Sequence, residues 1–506
     1  MFNFHSNNKT QEPFHPEAEP KYPYPISAKT LQNIFQNCSD FSQRPVVIGE
    51  SPRFPATVCW VDALVSGGDL SLDVLHPLTQ TPRFIGVQTE EDVIQRILKG
   101  AVYSYSVKLR DKCDDVVSDL LSGSAAIVFD TSNKAITFEV RSSMMRSITE
   151  STLEKTVKGA KDAFIETLRV NTSLVRKKLR TPQLKCVETV VGRKSATTVS
   201  VMYVEGVAEQ PRVDALVQRL KDLQIDGLTA AGYLEQYIVD QPHTPFPQLM
   251  HTERPDTFAG YLLEGRIGIL VDGLPIGFIA PAQLSQFMKV SEDRAQHFAV
   301  ASMLVLLRYT AFILGLLFPA FYVAVAMYHQ EMIPTQLLLS IIEAKQQVPF
   351  STAMEVLGML LAFELLQEAG LRLPTPVGDT VSIIGALIVG QSAVEARIIS
   401  PIVVIIVAFS GIATYTMPSQ DVASAVRILR FLFILAAMGA GIIGVMAAVA
   451  LLVWHLCSIE SYGICYMSPF VDGTGDGWMW SLLRQPLWSD KFRDPAIAGE
   501  DVRKQK

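Results

Sequence analysis

The feature that most limits this chain is where its apolar residues sit. Residues 298–455 carry several apolar runs long enough to cross a bilayer as helix, which takes about 17–25 residues. Residues 1–297 alternate polar and apolar positions as water-soluble folds do. With 506 residues, 49% of them hydrophobic, and a net charge of −6, the average is that of an ordinary soluble protein. That average conceals a soluble half followed by a membrane half. The opening "MFNFHSNNKTQEPFHPEAEPKYPYPIS" has five prolines and no apolar core. It reads as a disordered lead over 1–30 and not as a secretory signal, which puts the soluble half in the cytoplasm. The six cysteines are scattered, with no CxxC and no metal-ligand spacing. Free thiols in a reducing compartment are expected, with no metal and no cofactor.

The soluble half repeats itself. "LLSGSAAIVFDTSNKAI" starts at Leu120 and "LLEGRIGILVDGLPIGFI" at Leu262, so Leu120/Leu262, Gly123/Gly265 and Asp130/Asp272 share one offset. "CWVDAL" at 59–64 and "MYVEGV" at 202–207 keep it to within one residue. Each copy reads as strand, helix, then strand-turn-strand with a hairpin signal at the turn. The expected fold is an α/β N-terminal half of two related subdomains (31–150 and 190–297) joined by a basic helical linker (151–189). An all-α multi-span domain (298–455) and a cytoplasmic tail (456–506) follow. From Glu154 to Lys194 there are eleven Lys/Arg against four Asp/Glu, in a stretch that reads as amphipathic helix until Pro182. A solvated helix face, contact with anionic lipid and contact with an acidic partner all fit that charge. Nucleic acid does not fit, because the basic stretch is local, the protein is acidic and no aromatic stacking pattern accompanies it.

In the membrane half, Phe298–Tyr328 is one long run. Thr352 with Glu355 resembles a capping box and Gly370 a helix C′ residue, which predicts an amphipathic helix over 353–369 lying along the interface or re-entrant. Ser400-Pro401 has the form of an N-cap with proline at the first helical position, so two helices are expected, 380–398 and 401–417. A last helix runs from Arg427 to His455, with Ala436, Ala440 and Gly444 spaced for close helix packing. Four crossings then put both ends on the cytoplasmic side. In "GQSAVEARIISP", Glu395 and Arg397 point about 200° apart on a helix and cannot pair within it. Arg397 is expected to meet the free carbonyls at the end of 380–398, and Glu395 to face a neighbouring subunit or a pore end.

No Walker A, GxSxG, HExxH or EF-hand sequence is present, and "GTGDG" at 473–477 lacks the strand and lysine of a nucleotide loop. His251, Glu253 and Asp256 in "LMHTERPD" read as loop polarity or intersubunit salt bridges, not as a triad. Nothing points to an enzyme.

"GAKDAFIETLRVNTSLVRKKLRTPQL", "PFPQLMHTERPD", "LLEGRIGILVDGLP", "LLQEAGLRLPTPVGDTVSIIGALIVGQSAVEA" and "SIESYGICYMSPF" resemble, in order, the A subunits of GerA-type spore germinant receptors. The related stage V sporulation protein AF shares these motifs. The resemblance implies an integral protein of the spore inner membrane. Its partners would be a transporter-like B subunit, a lipoprotein C subunit and further copies of itself, in a ring that forms a nutrient-gated cation channel. The other function the resemblance allows is a non-conducting membrane scaffold or accessory protein. Within a channel, the pore-lining candidates are Gly385, Ile388, Gly390, Gln391 and Glu395. Candidates for the pore mouth or gate are Glu364, Glu368 and Arg397, and for subunit contacts Arg169, Asn171, Arg176 and Arg254. The family carries a small or amide residue where Arg397 stands, and a Glu-Pro pair at Glu150-Ser151.

Overall fold

The computed structural model describes residues 21–49, 52–62, 64–79, 81–104, 106–142, 154, 156, 158–372, 388–471 and 477–505. Two compact units emerge, one from Met1–Ser147 with Arg169–Val187, the other from Ile148–Leu168 with Glu188–Lys506.

The first unit is built on five strands, β1 (Phe41–Ile48), β2 (Phe54–Val61), β3 (Val107–Arg110), β4 (Ser124–Phe129) and β5 (Lys134–Glu139), in the order β1-β2-β4-β5-β3. β4 is apolar at nearly every position because both its faces are covered. Ala125, Ile127 and Phe129 enter one core, while Ala126 and Val128 enter the other beneath helix α1 (Cys113–Leu121), following the two-residue period of a strand. Helix α2 (Leu168–Lys178) belongs to this unit from Arg169 onward. The helix expected to run from Glu154 to Pro182 is therefore much shorter. Residues 158–167 are irregular because their backbone is spent elsewhere, within the second unit. The Phe164 N–H donates to Glu253 O at 2.7 Å, and Glu166 O accepts the Gly273 N–H at 2.7 Å. A continued helix would forfeit both bonds.

The second unit repeats the strand order as β6-β7-β9-β10-β8, with β6 (Leu184–Val191), β7 (Thr197–Val204), β8 (Met250–Thr252), β9 (Ile267–Val271) and β10 (Gly277–Ala280). Gly265 follows helix α3 (Pro255–Leu263) with φ +98°, as Gly123 follows α1 with φ +90°. A side chain there would be strained and would press on a carbonyl, Val207 O at 2.9 Å or Leu64 O at 3.0 Å, so glycine is required twice. The paired aspartates also do one job: Asp130 accepts the Ala28 N–H at 2.8 Å and Asp272 the Leu168 N–H at 3.1 Å, each at the first residue of a helix. His251 lies in β8 and not in a loop.

A bundle follows in the same unit: α4 (Phe298–Tyr328), α5 (Thr335–Lys345), α6 (Thr352–Arg372), a helical segment at 388–395, α7 (Pro401–Tyr415) and α8 (Gln420–Ser458). α6 is longer than expected and is packed inside the bundle, with Ala353, Val356 and Leu360 wholly buried. Its cap is Ser351, whose hydroxyl accepts the Met354 N–H at 3.4 Å; Thr352 instead accepts from Lys345, and Gly370 lies within the helix. α7 starts at Ser400-Pro401 as expected. It runs antiparallel to α4, since Ser410 Oγ donates to Gly315 O at 2.9 Å while Phe409 meets Phe318 at 5.3 Å.

The largest departure is α8. It begins at Gln420, seven residues before the expected Arg427, with Ser419 accepting the Val422 N–H at 3.4 Å. Its backbone reverses at Ala440 (φ −140°, ψ 15°) and Gly441 (φ 61°, ψ −139°). A side chain on Gly444 would strike the Ala436 carbonyl, which a continuous helix holds about 12 Å away. α8 is thus a hairpin of two arms, 420–439 and 442–458. Its tip meets the end of α4, where the Tyr328 hydroxyl donates to Met438 O at 2.5 Å. Both feet return to the sheet: Asp421 Oδ2 lies 3.3 Å from His251 Nδ1, and His455 Nε2 lies 2.8 Å from Thr244 Oγ1. The small residues expected to receive another helix serve the reversal.

The tail folds back onto the same unit. The Gly499 N–H donates to Val207 O at 2.7 Å, the Asp501 N–H to Gly206 O at 2.8 Å, and Arg493 Nε to Leu263 O at 2.7 Å.

Candidate functional site

Polar side chains inside an apolar bundle are costly and must be satisfied locally. Three groups of them cross this one. At one end Glu355 of α6, 2% exposed, accepts the Ser400 N–H at 2.8 Å, with Lys345 Nζ at 3.9 Å. A carboxylate is thereby held at the N-terminus of α7, where the free N–H groups favour negative charge. Further along α6, Glu364 pairs with Arg427 of the first α8 arm at 3.5 Å. Beside them Arg430, 1% exposed, donates to Thr414 Oγ1 at 2.5 Å while its Nε has no hydrogen-bond partner. Thr414 donates in turn to Ser410 O at 2.9 Å, and Ser410 to Gly315 O of α4. The ladder ties α8, α7 and α4 together by single bonds.

The segment 388–395 presents the third group. Ile388, Gln391 and Glu395 recur at helical spacing on one face and are exposed. Gln391 Nε2 donates to Glu395 Oε1 at 3.2 Å. Gly390 does not belong with them: it is buried, facing Val404 of α7 and Met359 of α6, where a small residue lets the helices approach. Gly385 lies outside the described residues, as do Glu150 and Ser151. Arg397 does not extend the helix's last turn. It is exposed in the left-handed region, φ 56°, in the turn that ends the segment. That conformation costs about 1–2 kcal/mol for a residue with a Cβ and suits glycine or asparagine, a physical reason for the small or amide residue of the resembling family.

Glu364 is half-buried by its Arg427 pair, and Glu368 is exposed. Of the subunit-contact candidates only Arg169 is exposed. Arg176 is fully buried in the first unit, donating to Asp40 at 2.5 and 2.7 Å and to Leu184 O at 3.1 Å. Asn171 is wholly buried as well. Arg254, 2% exposed, is held by Asp256 at 2.7 Å and by Thr156 at 2.7 Å. All three are buried within the chain, Arg176 and Arg254 by the partners just named. Arg430 and its ladder are not among the residues singled out from the sequence; the signal was an arginine one helical turn past Arg427 inside an apolar run. Near the α8 foot, burial and the neighbouring Asp421 carboxylate push the Glu235 carboxyl above its ordinary range. Among the described residues no three His, Cys, Asp or Glu side chains gather as metal ligands would, and no disulfide joins any of the six cysteines.

Comparison with known proteins bears directly on these motifs. The family model described as Bacillus/Clostridium GerA spore germination protein matches residues 29–496. Spore germination protein KA of Bacillus subtilis (strain 168) is 37% identical over 495 residues, which is 97% of this chain and 90% of that one. The membrane protein YfkQ of the same organism is 35% identical over 479 residues, 94% of this chain and 92% of its own. Spore germination protein GerQA of Bacillus cereus is 37% identical over 392 residues, 77% and 78% of the two chains. Among solved structures, the N-terminal domain of the A subunit of the Bacillus megaterium spore germinant receptor GerK3 is 31% identical with a TM-score of 0.41, covering 51% of this chain and 93% of that one. The chain belongs to the GerA family of spore germination proteins.

Proposed function

We propose that the chain is the A subunit of a nutrient germinant receptor in the spore inner membrane. Copies of it assemble into a ring, with a transporter-like B subunit and a lipoprotein C subunit, and conduct cations when nutrient binds. The names of its relatives support a role in germination. Two helices, Phe298–Tyr328 and Gln420–Ser458, are long and apolar enough to cross a membrane. Each arm of the α8 hairpin, at about 30 and 25 Å, is also long enough for one pass. With α4, α6, α7 and the crossing expected over 380–398, of which only 388–395 is described as helix, this gives six passes where four were expected. Either even number leaves the sheet and tail on one side, in keeping with the tail's bonds to Val207 and Gly206.

The single observation that carries the channel reading is the exposed face of Ile388, Gln391 and Glu395. An amide and a carboxylate facing outward from a bundle helix are poorly suited to lipid. Repeated around a symmetry axis they would form stacked rings, with Ile388 as an apolar constriction able to gate by dewetting and Glu395 as a cation-attracting ring. Glu364 and Glu368 would attract cations at the mouth. The test is potassium release from liposomes holding the chain with its B and C subunits. Nutrient should trigger release, and Glu364→Gln with Glu368→Gln should slow it at unchanged protein level. No release from an intact complex would replace the channel with a non-conducting scaffold.

A further inference from the structure

We infer that the segment 477–492 is an interfacial anchor whose aromatic side chains lie in the headgroup layer of a phospholipid bilayer, on the side that carries the sheet. This rests on the membrane reading above and adds a lipid contact outside the helical bundle.

The exposed apolar stripe of α4 runs from Val300 through Met303, Leu307, Ile313 and Phe321 to Tyr328. At 1.5 Å per residue it spans about 42 Å, against a hydrocarbon core of about 30 Å. Some 12 Å of stripe therefore overshoots into the headgroup region. That overshoot is assigned to the sheet-side foot of α4, where the stripe continues onto the tail through the Phe298–Trp488 contact. There the tail is clamped to the helix. The Arg484 N–H donates to Ser302 Oγ at 2.9 Å, Trp488 meets Phe298 edge-on at 5.7 Å, and Lys289 Nζ donates to Trp480 O at 3.0 Å. Arg484 is bound through its guanidinium to the carbonyls of Gln296 and Arg294, which fixes the segment's orientation.

From this clamped strip Trp478 (53% exposed), Leu487, Trp488 (71%) and Phe492 project outward. Trp454, also well exposed, sits at the foot of the second α8 arm, less than a turn from His455 and its Thr244 contact. Four of the five tryptophans therefore gather at the sheet-side feet of the bundle, Trp60 of β2 being the fifth. Tryptophan favours this zone because its large apolar ring and single N–H want lipid and water together. A second copy of the chain could also cover an apolar strip. The continuity of this one with the α4 stripe, and its placement where that stripe outgrows the hydrocarbon core, assign it to lipid.

The test is indole quenching in the intact receptor complex, reconstituted in phosphatidylcholine vesicles whose acyl chains carry bromine close to the carbonyls. Replacing Trp478 and Trp488 with Phe should cut the quenching about two- to three-fold, leaving the part owed to Trp454 and Trp480. Trp478→Phe alone, which spares the Phe298 contact, should give an intermediate loss. If both variants quench as the parent does while Trp454→Phe abolishes quenching, the anchor is refuted and the membrane reading stands. If no variant, parent included, is quenched at all, the membrane reading itself falls. Blue-shifted Trp488 emission that lipid does not quench would assign the strip to a neighbouring copy and overturn the proposal.

Discussion

Two buried arginines set the sheet of the first unit against the helical bundle. Arg176 spends its guanidinium on both oxygens of Asp40 and on the Leu184 carbonyl, and none of that pair reaches solvent. Arg430 is as deeply buried, yet it has one bond, to Thr414, and an Nε with no partner, while the neighbouring carboxylate of Glu364 is held by Arg427. A saturated buried ion pair admits one arrangement, because every alternative strands a charge. An under-bonded one is fixed by a single hydroxyl, and losing it would leave the buried guanidinium without a partner. The first arginine is held by several bonds to one partner and a carbonyl, the second by one bond to a hydroxyl.

The largest test of that contrast removes one partner of the saturated pair. Asp40→Ala should destabilise the first unit by about 3–5 kcal/mol by leaving Arg176 uncompensated. Limited proteolysis would read this as cleavage in β1 or α2 at temperatures the parent resists; parental resistance would mean the pair is not the lock it resembles. Arg430→Met should do the reverse, gaining about 1–2 kcal/mol of bundle stability because an under-bonded buried charge gives way to apolar packing. Thermal aggregation in detergent would show the gain, and a large loss would mean that Arg430 has a counter-charge in the folded bundle. The smallest effect is expected at Arg397. Arg397→Gly should gain about 1 kcal/mol by relieving the left-handed backbone. An unchanged melting temperature would mean that the strain is absent.

What the sequence made legible follows the same division. Positions where one residue type is obligatory could be read directly. Gly123 and Gly265 mark positive φ at matching places, and Ser400-Pro401 marks the start of α7. The α4 run was legible at both ends because its polar flanks are sharp. The reversal of α8 was not, since Ala440-Gly441 lies within a run of small apolar residues that reads equally as a packing seam. The irregular stretch 158–167 was hidden for another reason: its helical periodicity is overridden by bonds to Glu253 and Gly273, residues about 90 to 110 positions away in sequence, which local pattern cannot see. At the candidate pore, Ile388, Gln391 and Glu395 came from spacing and composition. Gly390 was misassigned because smallness alone does not tell a pore face from a packing face. Asn171, Arg176 and Arg254 looked like contact residues because charged and amide side chains are mostly exposed; only their partners in the fold explain their burial.

The claim that the 388–395 face lines the ion path is tested most directly by reversing its charge. In the complete receptor reconstituted in a planar bilayer under a potassium chloride gradient, the parent should be cation-selective. Glu395→Lys should move the reversal potential toward chloride, because a ring of ammonium groups would replace a ring of carboxylates on the path. A nutrient-evoked current whose reversal potential is the same for the parent and Glu395→Lys would place the path elsewhere and contradict the account.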